Sequence, residues 1–178
     1  MAEPPSPTLT TGADAVIVVG ADEQAATDGV DVDVERWSEL ARAVLVDEAR
    51  RGELTLTFVD RAEIAALNAE HLGHAGPTDV LSFPLDDGDV PEAGHTGVPV
   101  LLGDIVVCPA VAVEQAPSHA GTADDEIALL VVHGVLHVLG HDHAEPDETA
   151  AMRTRERVLL ERHHWAGPAP AGFRQDQP

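Results

Sequence analysis

The sequence predicts a layered α+β or α/β domain: a small mixed sheet of about four strands packed with helices, one of them a buried central helix. Three observations predict it. Short apolar runs of strand character, such as Ala15–Val19 and Leu101–Val107, are interspersed with segments whose apolar residues recur at helical spacing. One segment, Ile127 to Leu139 (IALLVVHGVLHVL), is apolar on every side except for two histidines and Gly134, which marks a helix buried all round. That helix and its exit carry four of the ten histidines within the eleven residues from His133 to His143.

The elements follow in order. Residues 1–14, rich in Pro, Ser and Thr, bury little apolar surface and are expected to form a disordered tail. Ala15–Val19 (AVIVV) is a strand, and the acidic ADEQAATDGVD after it is a loop with a short strand piece near Val30–Val32. Asp33 caps a helix from Val34 to Arg51, with Trp37, Leu40, Ala41, Val44 and Leu45 on one face and Gly52 as its stop. Glu53–Val59 alternates apolar and polar residues, the pattern of a half-buried strand. Asp60 caps a second helix that reaches Leu72. Gly76-Pro77 breaks the chain, Asp79–Phe83 is a third strand, and Pro84 stops it. Asp86–Pro99 is an acidic loop, and Leu101–Val107 is a fourth, buried strand. Pro109 opens a helix to Gln115, Thr122 caps the long helix that ends at Gly140, and Asp147 opens a last amphipathic helix to Arg162. Residues 164–178 are expected to form a second disordered tail, leaving one domain over residues 15–163, without repeat or linker.

Composition narrows the class. A chain of 178 residues can bury one sizeable core, and with no Tyr, two Trp and three Phe that core must be aliphatic. The first residues lack a basic, apolar leader, and no apolar run is long enough to span a membrane. One cysteine, Cys108, excludes an internal disulfide and fits a reducing cytoplasm; inside IVVC it is a small buried hydrophobe. The net charge is −22 and all ten basic residues are Arg. Such a surface repels nucleic acid and membranes at long range, so tight non-specific RNA binding is disfavoured.

The histidines carry the chemistry. His133 and His137 sit at i and i+4, so both imidazoles leave one face of the helix. Gly140 lets the chain turn and bring His143 back toward them. Three neutral imidazoles converging on one point suit a single Zn2+ ion with an open fourth position. Such an ion lowers the pKa of its bound water to about 7 and polarises a carbonyl or phosphoryl oxygen. The spacing matches the long metalloprotease motif HExxHxxGxxH, except that Gly134 stands where that motif needs its general-base Glu. A zinc hydrolase of another substrate, such as peptides, stays open on the metal geometry alone.

HGVLHVLGHDH, from His133 to His143, resembles the signature H-G-x-L-H-x-x-G-[YH]-D-H of the YbeY family of bacterial endoribonucleases. GPTDVLSFP, from Gly76 to Pro84, and LGDIVVCP, from Leu102 to Pro109, resemble two further family blocks, and the Leu67-Asn68 pair fits in order and spacing. The resemblance spans about residues 15–163. It implies a single-strand-specific endoribonuclease of the cytoplasm, acting in small-subunit ribosomal RNA maturation and ribosome quality control. It also implies an α+β fold with a metal cleft beside the buried central helix, and one zinc ion on His133, His137 and His143, whose bound water attacks the phosphodiester. The partners implied are ribosomal RNA and the small ribosomal subunit, with no membrane; for a chain this acidic, a protein recruiter is an added expectation.

Several polar residues remain. Many members of that family carry a Tyr-Arg pair and a Lys before the Pro-Thr-Asp block, where this chain has His71-Leu72-Gly73-His74 and no cation. Asp142 is a candidate to orient a ligand imidazole, and His141 a candidate proton shuttle or fourth ligand. Asp79 and Ser82 either face the cleft or cap their turn. Arg153, Arg155, Arg157 and Arg162 form a basic cluster, expected to be a solvated face paired with Glu148, Glu156 and Glu161. His163 and His164 are expected to be exposed. With the lost cation and the acidic charge, a ribosome-associated binding factor with a structural zinc is the alternative from another class.

Overall fold

The computed structural model describes residues 15–25, 29–85, 99–142 and 144–175. The element order is β1 (Val16–Asp22), α1 (Val34–Asp47), β2 (Gly52–Phe58), α2 (Arg61–Leu72), β3 (Val80–Pro84), β4 (Leu101–Val107), α3 (Pro109–Gln115), α4 (Ala123–Val138) and α5 (Pro146–His163). The strands form one sheet in the order β1-β2-β4-β3. β1 runs parallel to β2 and β2 parallel to β4, while β3 pairs antiparallel with β4 at one edge. This is the mixed four-stranded α+β architecture that the sequence predicts.

The alternation in β2 explains the main core. Leu54, Leu56 and Phe58 are fully buried on one face, with Thr55 and Thr57 half-buried on the other. The buried face meets Trp37, Leu40, Val44 and Leu45 of α1 and the length of α4. α4 is buried on nearly every side because it packs against α1, α3, α5, β3 and β4 at once. A smaller cluster beside the β3/β4 edge gathers Val59, Ile64, Leu81, Val106, Val111 and Cys108, which is fully buried as expected.

Besides β1, which pairs with β2 as far as Asp22 instead of ending at Val19, four details differ from the sequence expectation. α1 ends at Asp47, not Arg51, because Ala49 takes a positive φ of 53° and the Arg50 amide donates to the Leu45 carbonyl, closing the helix early. No strand forms near Val30–Val32. The Gln24 side chain instead accepts from the Val30 amide and donates to the Val30 carbonyl, supplying the bonds a partner strand would.

The C-terminal segment is the third. Residues 164–175, expected in a tail, lie against the body: the Trp165 indole donates to Asp125 at 2.6 Å, and Phe173 meets Trp165 edge-on at 4.8 Å. The fourth concerns His163 and His164, which are partnered rather than merely exposed. His163 bonds Asp47 at 2.9 Å, and His164, with its side chain 7% exposed, bonds Asp125 at 2.8 Å. Composition showed few apolar residues in this segment; it could not show the carboxylates of α1 and α4 waiting across space. The tail expected at residues 1–14, His143, and the acidic loop apart from Pro99 lie outside the described residues.

Candidate metal centre and cleft

α4 builds the site. Thr122 starts it by accepting from the Asp125 amide, and three acidic residues in its first turn face the positive end of the helix dipole. Glu126, Leu130, His133 and His137 then fall on one stripe at helical spacing. The His133 and His137 rings meet edge-on with centroids 4.5 Å apart. The helix closes in a Schellman arrangement: the His141 amide donates to Leu136, the Gly140 amide to His137, and Gly140 holds φ at 93°. Glycine is needed there because that backbone region strains other residues.

Gly134 has a separate cause. A Cβ at this position would lie 2.8 Å from a methyl of Ile105 and 3.3 Å from the Ser82 hydroxyl. α4 therefore rests on β3 and β4 through a bare backbone, and Ser82 reaches the Gly134 carbonyl at 3.4 Å. A glutamate side chain has no room here. The missing general base of the protease motif is a packing requirement of this fold.

Beside the two histidines lies a cleft of about 480 Å³. Asp79 and Val80 to Phe83 form one wall, Thr149, Met152, Arg153 and Glu156 of α5 another, with Leu72 and Gln175 also in the lining. Asp79 and Ser82 both line the cleft, and Asp79 alone of the two also caps its own turn. Asp79 lines the cleft while one carboxylate oxygen accepts from the Val80 amide and the Thr78 hydroxyl. Asn68 donates to the Gly76 carbonyl and so pins the turn that delivers β3.

The residue that sequence reasoning missed is Glu156. It is only 3% exposed, and its Oε1 lies 2.7 Å from His133 Nδ1. With Nδ1 donating to a carboxylate, Nε2 of His133 carries the lone pair. A carboxylate behind an imidazole is the arrangement that orients metal-binding histidines and raises their basicity. The donor set thus fits a zinc ion: two imidazoles on one helix face, one held in the ligating tautomer. Among the described residues no group of three such ligands forms, and His143 lies outside them. The signal for Glu156 was present: Met152, Glu156, Leu159 and Leu160 keep helical spacing, so Glu156 shares the inward stripe of α5. Met152, on the same stripe, is 2% exposed.

The other candidates separate. His141 turns its Nε2 toward Glu48, the C-cap of α1, at 3.5 Å, and Asp142 follows on the same turn. The basic cluster of α5 divides: Arg157 pairs with Glu161, Arg155 with Glu48 and Arg162 with Asp47, while Arg153 lines the cleft. A second buried pair, His119 and Glu126, lies further along the α4 stripe, with Nδ1 2.9 Å from the carboxylate and the fully buried Glu126 also accepting from the Ala120 amide. Near it, burial pushes the Asp125 carboxyl upward, but hydrogen bonds from Trp165, Thr122 and His164 outweigh it and hold the group below its usual range. Burial raises the Cys108 thiol, which suits an inert core cysteine.

A family model described as Endoribonuclease YbeY matches residues 22–164. Similar relatives of the same description include one from Kineococcus radiotolerans, 47% identical over 78% of this chain and 82% of its own. Another, from Mycolicibacterium vanbaalenii, is 43% identical over 84% and 82%. The solution structure of TM1509 from Thermotoga maritima matches with a TM-score of 0.53 at 26% identity, covering 83% of this chain and 87% of that one.

Proposed function

The chain belongs to the YbeY endoribonuclease family, and from that premise we propose that it is a zinc-dependent, single-strand-specific endoribonuclease of ribosomal RNA. Its role would be small-subunit maturation and ribosome quality control in the cytoplasm. The observation that carries the metal part is His133, in line with His137 along the cleft and fixed through Nδ1 by buried Glu156. His133, His137 and His143 would hold the ion, which supplies Lewis acidity and an activated water at neutral pH.

The protein's own groups do the rest. Glu156 holds the His133 tautomer, and Ser82 ties the β3 wall to α4. Arg153 supplies positive charge in the cleft for a phosphate of the strand. Leu72, at the rim and 55% exposed, contributes none where many relatives have Arg. With a net charge of −22 the chain gains little from long-range attraction to RNA, which favours delivery by a protein partner at the small subunit. No described helix is long and apolar enough to cross a membrane. The same charge, with Leu72 at the rim, favours the second reading, a ribosome-associated binding factor with a structural zinc. Peptide hydrolysis by the protease mechanism loses support from the closed Gly134 position.

The test uses zinc-loaded native chain and His137→Ala with ribosomal RNA, a single-stranded oligoribonucleotide and casein. The native chain should cut both RNAs and leave casein intact, and the variant should lose at least a hundredfold in rate, an effect on the order of 3 kcal/mol in the barrier. RNA cleavage that survives His137→Ala would sink the zinc mechanism. Zinc and ribosome binding with no cleavage of anything would favour the binding factor.

A further inference from the structure

The carboxylate behind His133 has two oxygens, and both are engaged. Oε1 takes His133 Nδ1 at 2.7 Å, while Oε2 accepts from Gln175 Nε2 at 2.8 Å. The same Gln175 nitrogen also donates to the Arg153 carbonyl at 3.0 Å. Both acceptors are oxygens, so the amide nitrogen must face them, and its two hydrogens are both used. Gln175 thereby fixes the end of the Glu156 side chain, whose terminal torsion is otherwise broad.

The backbone delivers Gln175 by a pinned path. Trp165 is held by Asp125, Phe173 packs on Trp165, and the Arg174 amide donates to the His119 carbonyl at 3.1 Å. This segment lies beyond residue 164, where the family match ends. We infer that Gln175 is a positioning residue of the metal site: through the chain Gln175–Glu156–His133, the C-terminal segment sets the ligating orientation of His133. The inference rests on the zinc reading above.

The test measures zinc affinity of the full chain by competition with a chromophoric chelator, alongside thermal melting of the metal-free form. Gln175→Ala should bind zinc on the order of three- to tenfold more weakly, short of the ~10–100-fold loss expected for Glu156→Gln directly behind the ligand. Gln175→Glu has the same size but no donor, so it should lose at least as much as Gln175→Ala. Metal-free Gln175→Ala should melt as the native chain does. A native chain that binds zinc while both Gln175 variants match it within twofold overturns the inference alone. A weakened affinity accompanied by an equally weakened metal-free fold overturns it too, by assigning Gln175 to stability. A native chain that binds no zinc overturns both this inference and the zinc reading.

Discussion

At His133 one ring nitrogen decides what the other can do. A buried carboxylate on Nδ1 sets the tautomer and leaves the lone pair on Nε2, the nitrogen that would ligate in the proposed function. Across the cleft, the residue at the rim carries no charge. Leu72 leaves 55% of its surface to solvent, where, on the proposed function, an introduced cation would meet a phosphate. Leu72→Arg should therefore raise kcat/KM for a single-stranded oligoribonucleotide by about tenfold, the worth of one charge-assisted hydrogen bond. It should also steepen the fall of activity with salt. Unchanged rates at low salt would show that RNA does not pass this rim. His133 and His137 were legible in sequence because two imidazoles four residues apart on an apolar helix share one face and need a polar partner there. Glu156 was not, since it lies among arginines that invite ion-pair assignments, and only its stripe with Met152, Leu159 and Leu160 reveals it.

α4 is the element on which fold and site coincide. Its apolar circumference made it legible as the central helix, and the structure shows every side but the cleft face occupied by another element. What the sequence withheld is the reason for Gly134, visible only once Ile105 and Ser82 are placed beneath it. Gly134→Ala gains about 1 kcal/mol of helix propensity. Its methyl, however, must displace Ile105, and overpacking of this kind costs about 1–3 kcal/mol. The variant should melt a few degrees lower and weaken the alignment of His133 and His137 on the sheet. A raised melting temperature would show that α4 can lift without loss. The ends of β2, β3 and β4 fall within a residue of those expected, β2 because it alternates cleanly, whereas β1 runs three residues past Val19. The end of α1 falls earlier than expected, because closure by Ala49 leaves no glycine in the sequence to mark it.

Across the whole molecule, the C-terminal segment ties α4, α5 and the cleft together through Asp125. That carboxyl is held below its usual range in the folded chain, so the ionised form contributes stability above the ordinary carboxylate value of about 4. The contribution should fade as pH falls below that value and through the lowered one. Trp165 fluorescence followed down an acid titration should report its release there, and Asp125→Asn should remove that acid-dependent phase while loosening the segment by about 2 kcal/mol at neutral pH. A release midpoint well above pH 4 would contradict the assignment to Asp125. The same scale holds the main tension of the molecule, an RNA-cutting family fold on a surface of net charge −22. A local cleft with zinc and Arg153 resolves it only if the metal is essential. The direct measurement is cleavage of a single-stranded oligoribonucleotide by metal-depleted chain as zinc is added back, with His137→Ala in parallel. Activity should rise from background to a plateau at one zinc per chain and stay at background in the variant; full cleavage by the metal-depleted chain would contradict the account.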